Sequence, residues 1–269
     1  MSKPYTIILA PNPTLMTGPG TNTIVLGGGV EGATVIDPAV DNSAYLDAIV
    51  HEGAERGDIR RILITHGHPD HIGGAEALRK RLGVSIYAFS RQGMPGADEE
   101  VADGMTFTAG DDTLRAIYTP GHRFDHLCYF LERQRILFAG DMISGITTNV
   151  IAPPDGNMID YMDSLIRLQE MDIAEIVPAH GPTIPGGQEK IAEYIAHRAL
   201  REQQILQALE DLPRGVKIPE VVRFIYTDVE PSLHPVAEWS VKAHLLKLEK
   251  EGLVEQLEPD GWALVRPTA

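Results

Sequence analysis

Three imidazoles and a carboxylate, His66, His68, Asp70 and His71, fall within six residues, directly after the apolar run Arg61-Ile62-Leu63-Ile64. An imidazole titrates near neutrality, so crowded histidines with nothing to bind repel one another on protonation, and a cation removes the conflict. The surrounding pattern places the cluster well for chemistry. A short β-rich run ends at Thr65, and Gly73-Gly74 lead into the helical pattern Ala75-Glu76-Ala77-Leu78-Arg79-Lys80, so the cluster sits on a loop held by a scaffold.

Three further donors follow, each at the C-terminal end of a strand-like run. His122 comes after Leu114-Arg115-Ala116-Ile117-Tyr118, Asp141 closes Ile136-Leu137-Phe138-Ala139-Gly140, and His180 follows Glu175-Ile176-Val177-Pro178-Ala179. Singly, each has a plain reading as a hydrogen-bonded loop histidine or a turn aspartate. Together, four sites on one type of element allow one rim of a sheet sandwich to gather them all.

In these motifs, the His-x-His-x-Asp-His cluster followed by isolated His122, Asp141 and His180, the chain resembles the metallo-β-lactamase superfamily over about residues 5–190. The resemblance implies an αββα sandwich of the α+β class and two zinc ions. One ion falls on His66, His68 and His122, the other on Asp70, His71 and His180, with Asp141 bridging the two. Imidazole and carboxylate ligands suit zinc, with iron or manganese as alternatives for the same set. Two ions sharing a carboxylate lie about 3.5–4 Å apart and lower the pKa of a shared water toward ~7. The expected activity is therefore hydrolysis by metal-held hydroxide, with Asp70 or a metal-held water handling the proton and Asp141 joining the ions.

Cys128 lies in the apolar run His126-Leu127-Cys128-Tyr129-Phe130-Leu131, whereas the bridging position carries Asp141. Free cysteine packs as a small hydrophobe, which makes Cys128 a core residue. A single cysteine forms no intrachain disulfide. With no apolar signal stretch at Met1-Ser2-Lys3-Pro4 and no run of eighteen apolar residues, the expected location is cytoplasmic and off the membrane.

The first large part carries a faint internal repeat. Thr23-Ile24-Val25-Leu26, a glycine-rich turn and Thr34-Val35-Ile36-Asp37 form a strand-turn-strand unit ending in aspartate, as do Leu127 to Leu131, a polar turn and Ile136 to Asp141. Two helix-covered sheets follow from such a duplication. Asp37, the counterpart of Asp141, either supports a ligand or serves as a turn residue before Pro38.

After residue 190 the spacing changes. Residues 191–210 read as one helix, 218–225 as a short helix and 236–251 as a longer one, and Gly252 stops the last. Leu253 to Leu257 and Trp262 to Val265 around Pro259-Asp260-Gly261 read as a hairpin. The expected division is a catalytic domain over residues 1–190 and a winged-helix-like domain over 191–269. A winged helix behind this core resembles the branch related to a mitochondrial β-lactamase-like endoribonuclease. Asn12-Pro13, the segment from Thr17 to Thr23 and the segment from Pro153 to Met158 resemble that branch as well.

Charge limits the partners. The chain carries a net charge of −15, and from Lys190 onward ten Lys or Arg face thirteen Asp or Glu, a net of −3. Phosphate backbones need a basic footprint, so DNA binding is not expected, and Lys242, Lys247 and Lys250 read first as a solvated helix face. Anionic membrane binding is disfavoured on the same ground. The tail is expected to pack over the metal site or to support a homodimer.

Candidate substrate contacts are Asn22, Arg123, His126 and Tyr161. Arg123 follows His122 where relatives often carry Thr or Ser, and either meets an anionic substrate or pairs with Asp125. His126 reads as a ligand support, a substrate contact or a backbone-bonded rim residue, and Tyr161 as a substrate contact or packing. Three function classes stand: a small-molecule esterase, thioesterase or lactonase, a single-strand endoribonuclease acting on RNA, and a non-catalytic nucleic-acid-binding module with structural metal. Seven ligands with a shared carboxylate argue against the third, since structural zinc is four-coordinate and closed. Hydroxyacylglutathione hydrolase shares the seven ligands, but the tail here does not resemble its glutathione-binding domain.

Overall fold

The computed structural model describes residues 4–227 and 229–266. Residues 1–3, part of the stretch read above for a targeting signal, lie outside them. One six-stranded sheet runs β1 (Tyr5–Leu9), β2 (Asn22–Gly27), β3 (Ala33–Ile36), β4 (Ile59–Leu63), β5 (Ser85–Ala88) and β6 (Glu99–Glu100), in sequential order. The second runs β7 (Thr106–Ala109), β8 (Asp112–Tyr118), β9 (Leu127–Leu131), β10 (Ile136–Gly140), β11 (Glu175–Pro178) and β12 (Ile184–Pro185). Between the sheets lies an apolar layer that includes Leu26, Ile36, Leu63, Leu114, Leu127, Tyr129, Phe138 and Val177.

Helices cover the outer faces. α1 (Ser43–Glu55), the single turn α2 (Pro69–Ile72) and α3 (Ala75–Leu82) follow strands of the first sheet, and Tyr45, Leu46, Ile49 and Leu78 pack on Val35, Ile62 and Ile86. α4 (Met158–Gln169) covers the second sheet through Tyr161, Leu165 and Leu168 against Cys128, Leu137 and Ile176. Alternation along β2 and β10 does not separate the faces, because both faces of each sheet are buried and the strands read as continuous apolar runs. The layers are α, β, β, α.

The repeat seen in the sequence has a topological basis. β2 and β3 pair antiparallel, α1 crosses over, and β4 joins parallel to β3; β9 and β10 pair antiparallel, α4 crosses over, and β11 joins parallel to β10. Asp37 and Asp141 therefore end equivalent strands, and His66 and His180 follow equivalent parallel neighbours. Parallel strands point their C-terminal ends the same way, so each half delivers an aspartate and a histidine to one rim.

α5 (Gly187–Asp211) runs unbroken across residue 190. Its first turns place Ile191 and Tyr194 in the outer cluster of the second sheet, while Ile205, Ala208 and Leu209 join a separate cluster with Val221, Val222, Val241, Leu245 and Trp262. That second cluster is built by α6 (Ile218–Ile225), α7 (His234–Lys250) and the hairpin β13 (Val254–Leu257) and β14 (Gly261–Leu264). Among the described residues, no helix is long and apolar enough to cross a membrane.

Candidate metal centre

Two donor groups assemble at the strand ends. His66, His68, His122 and Asp141 form one, and Asp70, His71 and His180 the other, the ligand atoms of each lying within 4.8 Å of one another. In the first group, His66 Nε2 lies 2.8 Å from His68 Nδ1, which lies 3.2 Å from His122 Nε2, which lies 3.4 Å from Asp141 Oδ2. Four ligands at ~2.0–2.1 Å from a tetrahedral zinc-sized ion sit ~3.3 Å apart, so the spacing suits one cation. In the second group, His180 Nε2 is 3.6 Å and His71 Nε2 3.9 Å from Asp70 Oδ2. Asp141 Oδ1 lies 3.3 Å from His180 Nε2 and 3.6 Å from His71 Nε2, so one oxygen of Asp141 faces each group.

Supporting hydrogen bonds fix which ring nitrogen is free. Thr65 Oγ1 donates to Asp37 Oδ2 at 2.6 Å and so accepts from His66 Nδ1 at 3.1 Å, leaving His66 Nε2 bare. His71 Nδ1 donates to Asp37 Oδ2 at 2.8 Å, and His122 Nδ1 donates to the Val150 carbonyl at 3.1 Å. Histidines held in this way present Nε2 as a metal donor. His71 Nε2 and Asp141 Oδ1 are buried with no hydrogen-bond partner, a costly state for polar atoms that a divalent cation relieves. The donor set therefore fits divalent metal.

The electrostatics agree. Burial, with neighbouring His71 and His122, holds the His66 imidazole well below its ordinary value. Burial and the nearby His122 bring His68 down to about 4. Burial alone lowers His71, but Asp141 and Asp37 overcome it and raise the ring well above its usual range. Burial opposes the Asp141 carboxylate, but the neighbouring His71 and His180 rings hold it well below the ordinary range. His66 and His68 are thus neutral and Asp141 ionised, the forms that bind a cation, whereas His71 holds a proton that a cation must displace.

The remaining candidates take other places. His126 is fully buried: its Nε2 accepts from the Asp141 amide at 3.0 Å and its Nδ1 donates to Thr119 Oγ1 at 2.9 Å, so it holds the Asp141 backbone and cannot reach a substrate. Tyr161 is also fully buried and donates to the Met142 carbonyl at 2.7 Å, which makes it a packing residue. Asn22 is buried, its amide donating to Pro178 O at 2.9 Å and Gly181 O at 2.8 Å, so it clasps the His180 turn instead of facing a ligand. Arg123 makes the salt bridge, Nε to Asp125 Oδ1 at 2.6 Å, with Asp155 3.7 Å from Nη1. Asp37, buried beneath the cluster, accepts from His71 and Thr65 and is not a plain turn residue. Lys247 is tied to Glu202 at 2.5 Å and Glu251 at 2.8 Å, so α7 presents no continuous basic stripe.

Residues 16–180 match the metallo-beta-lactamase superfamily, and residues 218–262 match the beta-lactamase associated winged helix domain. The chain belongs to the metallo-beta-lactamase superfamily. It is similar to the beta-lactamase-like protein 2 homolog of Caenorhabditis elegans, at 34% identity over 95% of this chain and 87% of that protein. It is also similar to the atrochrysone carboxyl ACP thioesterase of Aspergillus fumigatus, at 32% identity over 77% of this chain and 65% of that one. A metallo-beta-lactamase family protein of Thermus thermophilus shares the fold at a TM-score of 0.79 and 21% identity, covering 97% of this chain and 99% of that one. As a superfamily member with a donor set that fits divalent metal, the chain is a hydrolase.

The sequence did not point to Asn149 and Val150. Asn149 Nδ2 donates to the Asp141 carbonyl at 2.5 Å, and Val150 O accepts from His122, yet both lie in an irregular loop between β10 and α4 with no spacing or residue type to mark them.

Proposed function

We propose that the chain is a dinuclear zinc hydrolase that cleaves thioesters or closely related ester carbonyls. The observation that carries this reading is Asp141, whose two carboxylate oxygens face two separate donor groups. His66, His68 and His122 would hold one zinc ion and Asp70, His71 and His180 the other, with Asp141 offering an oxygen toward each group. When bound, such a pair supplies Lewis acidity and an attacking water acidified toward ~7. The chain's own residues set the frame: Asp37, Thr65 and Val150 O fix the ring orientations, and His126 fixes the Asp141 backbone. Asp70, its side chain 33% exposed, is open to solvent and takes the proton released on attack.

Cys128 does not compete for this role. Burial pushes its thiol up to about 12, where it is inert. The thioester is favoured because a relative at 32% identity is named as an ACP thioesterase. The test is a panel assay of zinc-loaded protein with acyl thioesters, lactones, a chromogenic β-lactam, phosphodiesters and single-stranded RNA. Metal-dependent thioester turnover is expected, and RNA cleavage without ester turnover overturns the reading.

A further inference from the structure

The loop between β10 and α4 touches three of the donors. Asn149 Nδ2 bonds the Asp141 carbonyl at 2.5 Å, Val150 O bonds His122 Nδ1 at 3.1 Å, and the Gly145 amide bonds the His180 carbonyl at 2.8 Å. Met142, Ile143 and Ile151 anchor the two ends of this loop in the core, but residues 144–150 between them are partly or fully exposed and have no regular structure. Two side chains of α5 hold that middle stretch. Tyr194 Oη accepts from the Ser144 amide at 2.9 Å and donates toward the Ser144 and Thr147 carbonyls at 3.0 and 2.9 Å. Arg198 Nη2 donates to the Asn149 carbonyl at 2.5 Å.

We infer that Arg198 is a positioning residue for the metal centre, acting through the loop segment Asn149-Val150. Arginine is costly to bury, yet Arg198 is only 2% exposed, and its guanidinium lies 5.1 Å from the Tyr161 ring centre on α4. A charge-assisted bond to a carbonyl is roughly twice as strong as a neutral one, so it fixes the height of residue 149. Residue 149 in turn sets the Asp141 carbonyl, and its neighbour sets the His122 ring. A centre whose ligands come from four strand ends thereby depends on α5, the helix that also builds the winged-helix core. The sandwich is not sufficient on its own to fix its ligands.

The inference rests on reading these donors as a divalent-metal centre, and the test separates the two. Cobalt(II) is titrated into apoprotein, with affinity measured by chelator competition and ligand geometry by the visible absorption bands. If wild-type protein binds no cobalt, the metal reading itself fails and this inference with it. Given wild-type binding, Arg198→Ala is expected to weaken cobalt affinity about tenfold, the lower end for loss of an outer support, and to shift the absorption bands. Turnover should fall with KM little changed, and Arg198→Lys should restore part of the affinity. Arg201→Ala, one turn along α5 and stacked 3.9 Å over the Tyr226 ring, removes a comparable cation without touching the loop and should leave both readouts unmoved. Should Arg198→Ala fail to fold, Asn149→Ala removes the bond to Asp141 from the loop side and should weaken cobalt in the same way. Wild-type cobalt affinity and spectrum in Arg198→Ala, or in both Arg198→Lys and Asn149→Ala where the alanine variant does not fold, overturn the inference.

Discussion

Asp37 Oδ2 accepts from His71 Nδ1 at 2.8 Å, and the same carboxylate receives the Thr65 amide at 2.8 Å through Oδ1. One buried aspartate thus orients the ring of one donor group and the turn that carries the other. Its backbone sits at φ 51, a left-handed conformation that asparagine adopts with little strain. Asp37→Asn should therefore fold, but its neutral amide cannot accept all three bonds. Divalent-metal affinity should drop about 10–100-fold, the usual range for loss of a carboxylate behind a histidine ligand. Equilibrium dialysis against a competing chelator measures this, and unchanged affinity contradicts the role.

Much of the centre was legible because its residue types are rare and its strands are strongly apolar. His66, His68, His71, His122 and His180 stand out by type, and each strand end falls where an apolar run meets Gly, Pro or Thr. Roles inside the buried shell were not legible. His126 and His122 look alike in sequence, four residues apart, but His126 turns under Asp141 whereas His122 faces the donors. The choice depends on where β9 begins, at Leu127, and on the amide of a strand paired across the sheet, which no local pattern encodes. Asn149 was invisible for a related reason: its partners, Asp141 and Arg198, come from a strand end and a helix about 50 residues downstream.

Gly121 shows how closely the His122 turn approaches α4. It has φ +127, and a Cβ placed there would stand 2.2 Å from the Tyr161 backbone. Backbone on both sides leaves no flexible atom to move aside. Gly121→Ala should push the His122 turn away from the other donors, and a displacement of ~1 Å is enough to cost on the order of 100-fold in turnover. Steady-state assay of metal-loaded protein checks this, and turnover within twofold of wild type would mean the turn has slack that the packing does not suggest.

His244 on α7 is fully buried, with neither ring nitrogen hydrogen-bonded. Burial, reinforced by Arg198, Lys247, Arg201 and His197, holds its imidazole well below the ordinary value. Its folded pKa is thus depressed below an unfolded value of about 6.5. The unfolded chain takes up a proton that the folded chain refuses, so stability is full above that pH and declines as pH falls below it. One such group costs up to about 1.4 kcal/mol per pH unit. His244→Leu should remove this dependence, so that between pH 7.5 and 5.5 the variant loses about 1 kcal/mol less than wild type in urea unfolding. Parallel pH profiles for the two proteins would count against the assignment.

The first donor group bears directly on what metal does for the fold. His66 Nε2 and His68 Nδ1 stand 2.8 Å apart, with His122 Nε2 3.2 Å from the latter, while the other nitrogens of His66 and His122 are committed to Thr65 and Val150 O. The lone pairs of His66 Nε2 and His122 Nε2 therefore both face His68 Nδ1, and burial resists further protonation of the three rings. A divalent ion that binds only the folded state stabilises it by about 2.7 kcal/mol at a free concentration 100 times its dissociation constant. Removing metal with a chelator should lower the thermal midpoint and speed amide exchange at residues 65–71, 122 and 141, while the β13–β14 hairpin and α6 remain protected. The readout is differential scanning calorimetry paired with hydrogen exchange, with metal content assayed on the same samples. If fully stripped protein melts at the same temperature as loaded protein and exchanges no faster at those residues, the converged donors are held by the fold alone.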